Sequence, residues 1–198
     1  MYEYIFGPPA VPQCVQGFLN EEALRIAVDV YSLRTREGQQ RIIPGIHFTC
    51  TGMLTKWIIG AQRTLTQTTS HPQLQIWRQR SQTSNTFDRI SFNNLTDLNA
   101  TDDRNVYEYT PNPPLQFQAD DFLGLFLPHR TDTQVVVYLQ RRGGPQSYRR
   151  NQNSALSSFT RSGGGVDRDV PLVAVEINSK TYQLQHFITM YYILLSFI

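Results

Sequence analysis

Apolar and polar residues alternate through much of this chain with a period of two, which is the pattern of half-buried β-strands. The first such stretch is ALRIAVDVYSL, residues 23–33. The preceding NEEA, residues 20–23, resembles a helix cap, and the stretch also fits a helical stripe. We predict a strand, because β-branched residues dominate and the alternation is the cleaner match. This strand would open a domain of residues 23–180, behind an N-terminal arm of residues 1–22.

A hairpin is predicted to follow. Its first strand, IHFTC at residues 46–50, alternates so that Cys50 lies on the inward face. Gly52 marks the turn, and LTKWIIGAQ at residues 54–62 returns as the second strand with Trp57 on its inward face.

Further strands follow at short intervals. PQLQIWR, residues 72–78, has Leu74 and Ile76 inward and Trp77 on the face that carries two glutamines. The run Phe122–Leu127 is apolar on both faces, so we predict a central strand whose outer face is covered. The N-terminal arm, a long loop and the C-terminal segment are the candidates for the cover, and we favour the arm or the C-terminal segment. The remaining candidates are DRISF, NVYEYT, TQVVVYLQ and PLVAVEI.

About eight to ten short strands, separated by turn signals and with no clear helix, predict an all-β protein. The expected architecture is an antiparallel, jelly-roll-like β-sandwich with one long polar loop. That loop is residues 140–169, which are rich in Gly, Ser, Arg and Asn and lack apolar periodicity. Six arginines and two aspartates give it a net charge of +4 within a chain of net charge +2. We predict that it is flexible and buries almost nothing.

The two ends of the sequence carry different signals. The first residues have no basic region followed by an apolar core, so no signal peptide is predicted within this sequence. That leaves either a cytosolic protein or a start that lies upstream. Residues 181–198 end in an apolar run shorter than the ~20 residues of a spanning helix. They are expected to form either a final strand or the first part of a truncated membrane anchor.

Composition narrows the function classes. The net charge of the chain is only +2, so the whole molecule is not an electrostatic partner for nucleic acid. The chain carries no CxxC, HExxH, GxSxG or Walker motif. We therefore predict a protein that is not an enzyme and that holds neither a metal nor a cofactor.

The two cysteines are Cys14 and Cys50. Their even number and the inward position of Cys50 predict a disulfide that ties the N-terminal arm to the hairpin, and two separately buried thiols are the alternative. Two glycosylation sequons, at Asn94 and Asn99, lie in one polar stretch and favour the same oxidising compartment.

Two aromatic residues are candidate ligand contacts. Trp77 would form an exposed platform if the face carrying Gln73 and Gln75 is open, and packing across strands is the alternative. Tyr148 lies in the arginine-rich loop.

The sequence also resembles an ectodomain-like module that occurs in proteins of sponges and other early-branching animals, often in cell-surface or secreted contexts. The resemblance covers roughly residues 40–177. The shared pattern is F-x-C-x-G, a Trp-containing strand, P-x-L-Q-I-W-R and D-x-L-G-L-F. Here it comprises Phe48, Cys50, Gly52, Trp57, Pro72, Leu74, Gln75, Ile76, Trp77, Arg78, Asp121, Leu123, Gly124, Leu125 and Phe126.

The resemblance implies extracellular placement and carries no catalytic residue across. We therefore expect a non-enzymatic recognition or adhesion module of a secreted or cell-surface protein, with an unidentified protein or glycan partner. A secreted carbohydrate-binding module using Trp77 is the alternative. Membrane attachment is expected only through the C-terminal segment.

Overall fold

A computed structural model describes residues 14–30, 38–64, 69–140, 146–161 and 166–179. These residues form one α-helix, one 3-10 turn at Arg130–Asp132 and sixteen strands. The elements are α1 Glu21–Val30, β1 Val15–Gln16, β2 Gln39–Phe48, β3 Gly52–Arg63, β4 Gln73–Gln79, β5 Thr86–Asn94, β6 Asn99–Ala100, β7 Val106–Tyr109, β8 Leu115–Phe117, β9 Phe122–Leu127, β10 Val135–Val137, β11 Leu139–Gln140, β12 Ser147–Asn151, β13 Ser158–Thr160, β14 Val166–Asp167, β15 Val170–Pro171 and β16 Val173–Ser179.

The strands form two main sheets, and every pairing among the described residues is antiparallel. The larger sheet has eight strands in the order β13-β5-β4-β9-β2-β12-β14, with β1 paired to β2. The second sheet has the order β10-β3-β7-β6, and β16 and β8 also pair with β3. Strands β11 and β15 form a separate pair. The predicted all-β antiparallel sandwich is confirmed, and the jelly-roll connectivity stays a prediction. The strand count was underestimated, because several strands have only two or three residues.

The core lies between the two sheets. Aliphatic side chains of β2, β4 and β9 meet those of β3, β10 and β16 there, and Trp57 is fully buried among them. Trp57 Nε1 donates a hydrogen bond to Asn93 Oδ1 across the core at 2.9 Å. This bond satisfies the one polar group of the buried indole.

The predicted hairpin around Gly52 is wrong. Strand β2 pairs with β1, β9 and β12, whereas β3 belongs to the other sheet. The chain therefore crosses between the sheets at residues 49–51. The chain bends at Thr49 and Cys50, and Gly52 is the first residue of β3 and not part of a turn. A bend alone does not decide whether the two strands beside it pair or separate.

The strand predicted at residues 23–33 is also wrong, because residues 21–30 form α1. Asn20 Oδ1 accepts a hydrogen bond from the Ala23 amide at 2.7 Å and caps the first turn. Leu24 is fully buried while Ile26 is 58% exposed, although strict alternation would put both on one face. The helix packs Leu24, Ala27 and Val28 on the outer face of the second sheet.

The domain boundary proposed between residues 22 and 23 consequently falls inside a helix. The arm is part of the fold from residue 14 onward, since Val15 pairs with Phe48. Residues 1–13 and 181–198, which include the proposed anchor or final strand, lie outside the described residues.

The prediction of a flexible loop over residues 140–169 is wrong for the described part of that stretch. Strand β12 extends the large sheet beside β2, and β13 forms its opposite edge beside β5. Ser147 is fully buried and Phe159 is 3% exposed. The buried residues of this stretch are isolated and far apart in the sequence, so the stretch shows no apolar periodicity.

The central strand predicted at Phe122–Leu127 is confirmed: β9 pairs with β2 on one side and β4 on the other. Its inward residues Leu123, Leu125 and Leu127 belong to the core. Its outer face is covered by a cluster that includes Phe159 and Leu156. Among the described residues, the cover is thus the segment expected to be a loop, which was the less favoured candidate. The C-terminal segment lies outside the described residues.

Candidate functional site

The structure confirms the predicted disulfide. Cys14 and Cys50 are bonded, with their Cα atoms 5.1 Å apart. The Thr49 amide donates to the Cys14 carbonyl at 2.9 Å, and β1 runs beside the end of β2. Cys50 does not lie on the inward face of a strand as predicted, since it follows β2 in the crossover. The bond therefore ties the N-terminal segment to the point where the chain passes between the sheets.

Trp77 is not the exposed platform that the sequence suggested. It lies on the outer face of β4, as predicted, but its side chain is fully buried. A Cβ atom at Gly124 would overlap the indole, so the glycine leaves the space that the ring occupies. Phe87, Phe159 and Ile42 complete the cluster around it. Trp77 is therefore excluded as a direct ligand contact in this conformation.

A network of buried amides surrounds Trp77. Gln75 Oε1 accepts hydrogen bonds from Trp77 Nε1 at 2.8 Å and from Gln40 Nε2 at 2.7 Å. Gln40 Nε2 also donates to the Leu125 carbonyl at 3.0 Å, and Gln40 Oε1 accepts from the Leu156 amide at 3.2 Å. Both glutamines are fully buried. The network joins three strands and the covering segment, and Gln75 Nε2 extends it to the half-buried Gln73 by donating to Gln73 Oε1 at 2.9 Å.

Arg41 is a buried charge that the sequence analysis missed. Its side chain is 1% exposed. The guanidinium donates to Gln39 Oε1 from Nε at 3.1 Å and from Nη2 at 3.0 Å. Asp169 lies 3.7 Å from Nη2 and supplies a counter-charge. The available signal was weak: Gln39, Gln40 and Arg41 directly precede the apolar pair Ile42-Ile43.

Tyr148 lies half-buried on β12, next to Phe87 at a ring-centroid distance of 6.0 Å. The Arg161 guanidinium carbon lies 4.6 Å from the centre of its ring. Arg150 stacks in the same way on Phe159 at 5.0 Å. These arginines pack on aromatic faces, so Tyr148 presents a ring with an arginine on it and not a bare platform.

A shallow pocket of about 410 Å³ opens where β2 and β12 meet the end of the large sheet. Its lining is polar: Gly38, His129, Asn151, Gln152 and Asn153. The Gln152 amide donates to the Gly38 carbonyl at 3.0 Å, so these two lining residues are joined by a hydrogen bond. Imidazole and amide groups both donate and accept hydrogen bonds. Such a lining suits a neutral ligand with several hydroxyl groups. Neither Trp77 nor Tyr148 belongs to it.

The two sequons lie at the ends of one short connection. Asn94 is the last residue of β5 and Asn99 the first of β6, and both are exposed. Between them Leu95 and Leu98 are buried and fasten the connection to the core. The acceptor asparagines therefore stand on anchored backbone.

Ion pairs hold two further connections in place. Arg78 donates to both carboxylate oxygens of Asp121 at 2.7 and 2.9 Å, and Asp121 is fully buried. The hydrogen bond to Asp121 raises the pKa of Arg78 above its ordinary value, against the opposing effect of burial. Arg80 likewise donates to both oxygens of Asp88, and this bond lowers the pKa of Asp88.

No group of three or more His, Cys, Asp or Glu residues stands close enough to hold a metal ion within the described ranges. Among the same residues, no helix has the length and apolar character needed to cross a membrane.

Comparison of the chain with protein-family models, with curated proteins and with solved structures found no match. The fold and the geometry of its surfaces are therefore the basis for a functional conclusion.

Proposed function

We propose that this chain is a non-enzymatic recognition or adhesion module of a secreted or cell-surface protein. The observation that carries the proposal is the disulfide between Cys14 and Cys50. Disulfides form and persist in oxidising compartments and are rare in the cytosol. A bond that fastens a segment to a sheet crossover serves a scaffold, and on such scaffolds binding residues stand on the surface and on connecting segments.

The test is the oxidation state of the native protein. Protein recovered from its source is alkylated before lysis and its intact mass is measured. We expect no alkylated cysteine and recovery in the secreted or surface-labelled fraction. Two alkylated cysteines in protein from the cell interior would overturn the extracellular assignment.

The polar pocket supports a second candidate, a secreted carbohydrate-binding module. Carbohydrates present many hydroxyl groups, and the amide and imidazole groups of the pocket match them. This candidate no longer rests on Trp77, which is buried.

A glycan array separates the two candidates. The secreted domain is compared with Asn153→Ala and His129→Ala, which alter the pocket, and with Asn178→Ala, an exposed asparagine on the second sheet. Binding of a neutral glycan that is lost in both pocket variants and kept in the control supports carbohydrate binding. Absence of any glycan signal, with binding to a protein ectodomain, supports protein recognition.

A further inference from the structure

Phe92 is a large aromatic residue at an open sheet edge. It lies on β5 and is 41% exposed. Strand β13 covers β5 only from Thr86 to Asp88. Beyond that point the described residues supply no neighbouring strand on this side, so residues 90–94 form a free edge. A free edge with an exposed ring is prone to unwanted association unless something shields it.

Asn94 stands beside that ring on the same face. Phe92 pairs with Gln75 and Asn94 pairs with Gln73, and both glutamines face the outer side of the sheet. The bulge in this pairing lies before Phe92, so alternation is regular between the two residues. Positions i and i+2 of a strand are about 7 Å apart and point the same way.

The Asn94 carboxamide makes one side-chain hydrogen bond among the described residues. Its Oδ1 accepts a hydrogen bond from Gln73 Nε2 at 2.9 Å, which orients the amide. No described residue takes a hydrogen bond from its Nδ2, which is the atom that carries the sugar in an N-linked glycan. Leu95 is fully buried and Thr96 is exposed, so the sequon Asn94-Leu95-Thr96 begins and ends at the surface.

We propose that Asn94 carries an N-linked glycan whose first N-acetylglucosamine packs on the ring of Phe92. This inference rests on the extracellular assignment, since N-glycosylation occurs in the secretory pathway. In the transfer step, Asn94 Nδ2 attacks C1 of an oligosaccharide linked to a lipid pyrophosphate. The N–C1 bond forms, the C1–O bond breaks with its electron pair on the departing pyrophosphate, and one amide proton passes to a base of the transferase.

The contact follows from the chemistry of both partners. One face of a pyranose ring presents several C–H bonds whose hydrogens are slightly positive, and the face of an aromatic ring is slightly negative. Arg89, three residues before Phe92, lies with its guanidinium carbon 4.4 Å from the ring centre. Asn94 follows Phe92, so a sugar on it approaches from the opposite direction along the strand. The glycan would cover the apolar ring and block the free edge.

Asn99 provides an internal control. It is exposed and forms a complete sequon, but the residue two positions before it is Asp97. A glycan on Asn99 therefore has no ring at the matching position. The two sites differ in the feature that the proposal invokes.

The first measurement is site occupancy by peptide mass spectrometry of the protein secreted from animal cells. We expect Asn94 to be occupied. The second measurement uses an endoglycosidase that leaves one N-acetylglucosamine, and compares this form with Asn94→Gln. We expect the single sugar to raise the melting temperature by about 2–4 °C, which is the shift for one aromatic contact in a chain of this length.

Phe92→Ser should remove that shift, and Phe92→Trp should keep it. Phe92 is 41% exposed and lies outside the buried clusters, so neither variant is expected to prevent folding. The same comparison at Asn99, between the single-sugar form and Asn99→Gln, should give a small difference in melting temperature. That difference should be equal in the proteins with Phe92, Phe92→Ser and Phe92→Trp. An equal shift at Asn94 with and without the ring overturns the packing.

Failure of this inference is distinguishable from failure of the extracellular assignment. An unoccupied Asn94 in secreted, fully oxidised protein overturns the glycan and leaves the assignment standing. Reduced cysteines in native protein overturn the assignment itself.

Discussion

The two faces of the large sheet are both buried at its centre, but they are built differently. The inner face carries aliphatic side chains such as Leu74 and Leu125, which meet the second sheet. The outer face carries Gln40, Gln75 and Trp77, whose polar groups bond one another beneath the covering segment. The inner face needs only apolar volume to be stable. On the outer face, each hydrogen-bond donor also needs an acceptor, so fewer types of residue are tolerated there.

The covering of the outer face also decides how much of the sheet surface a ligand can reach. The segment 152–157, which connects β12 to β13, covers part of the outer side of the large sheet and leaves less free surface for a ligand. The remaining open surface of the described large sheet includes the Phe92 edge and the polar pocket by Gly38. The proposed glycan and the proposed ligand would use these two different places.

The largest expected effect tests whether both faces are core. Leu125→Asp and Phe126→Asp place a carboxylate on opposite faces of β9, where the native side chains are 0% and 2% exposed. Each buries an unpaired charge, so each should cost more than about 4 kcal/mol of unfolding free energy. Urea midpoints measure this. If Phe126→Asp is tolerated, the outer face is open in solution and the comparison between the faces fails.

The next effect tests the cover directly. Phe159→Ala removes a buried ring from the cluster around Trp77 and should lower the unfolding free energy by about 3 kcal/mol. Ser157→Ala, an exposed neighbour, is the matched control and should change it by less than about 0.5 kcal/mol. Equal and small effects of the two variants would show that Phe159 and the segment that precedes it do not cover the outer face.

A smaller effect tests the polar character of the outer face. Gln75→Leu deprives Trp77 Nε1 and Gln40 Nε2 of their shared acceptor and should cost about 1–3 kcal/mol. Gln116→Leu on the exposed side of β8 is the control. Adding Gln40→Leu should cost less than the sum of the single changes, because an orphaned donor disappears with it. Strict additivity in denaturant unfolding would contradict a coupled network.

The smallest effect concerns an exposed ion pair at the end of the β4–β5 hairpin of the same sheet. The hydrogen bond from Arg80 lowers the pKa of Asp88, so its contribution to stability is present above the ordinary carboxylate pKa of about 4. That contribution is lost as the pH falls through the lower folded-state value. Asp88→Asn should therefore flatten the acid side of the stability profile slightly and leave neutral stability nearly unchanged. A large change at neutral pH would show that this exposed pair matters more than surface pairs usually do.

Some elements were predictable because their signal is local. The strand over residues 73–78 and the central strand at Phe122–Leu127 both follow from side-chain alternation or continuous apolar character. The disulfide followed from there being two cysteines, one of them beside a strand. The polar stretch that contains Asn94 and Asn99 likewise predicted that both residues are exposed.

Other elements were not predictable, because neighbours distant in sequence decide them. Residues 21–30 satisfy both a helical and a strand pattern, and the outer face of the second sheet selects the helix by burying Leu24. The bend before Gly52 permits either a hairpin or a crossover. Trp77 faces a polar side of its strand, and whether that side is open depends on Phe159, eighty-two positions later.

The sequence alone determined that this chain forms β-strands, where several of them lie, and that two cysteines stand in positions that a fold can join. These features depend on side-chain periodicity, residue type and number. The tertiary structure decided which strands share a sheet, which face is covered and by what, and therefore which aromatic rings remain accessible. Such choices depend on hydrogen bonds and burial between segments far apart in the chain, and no short window of sequence contains both partners of those contacts.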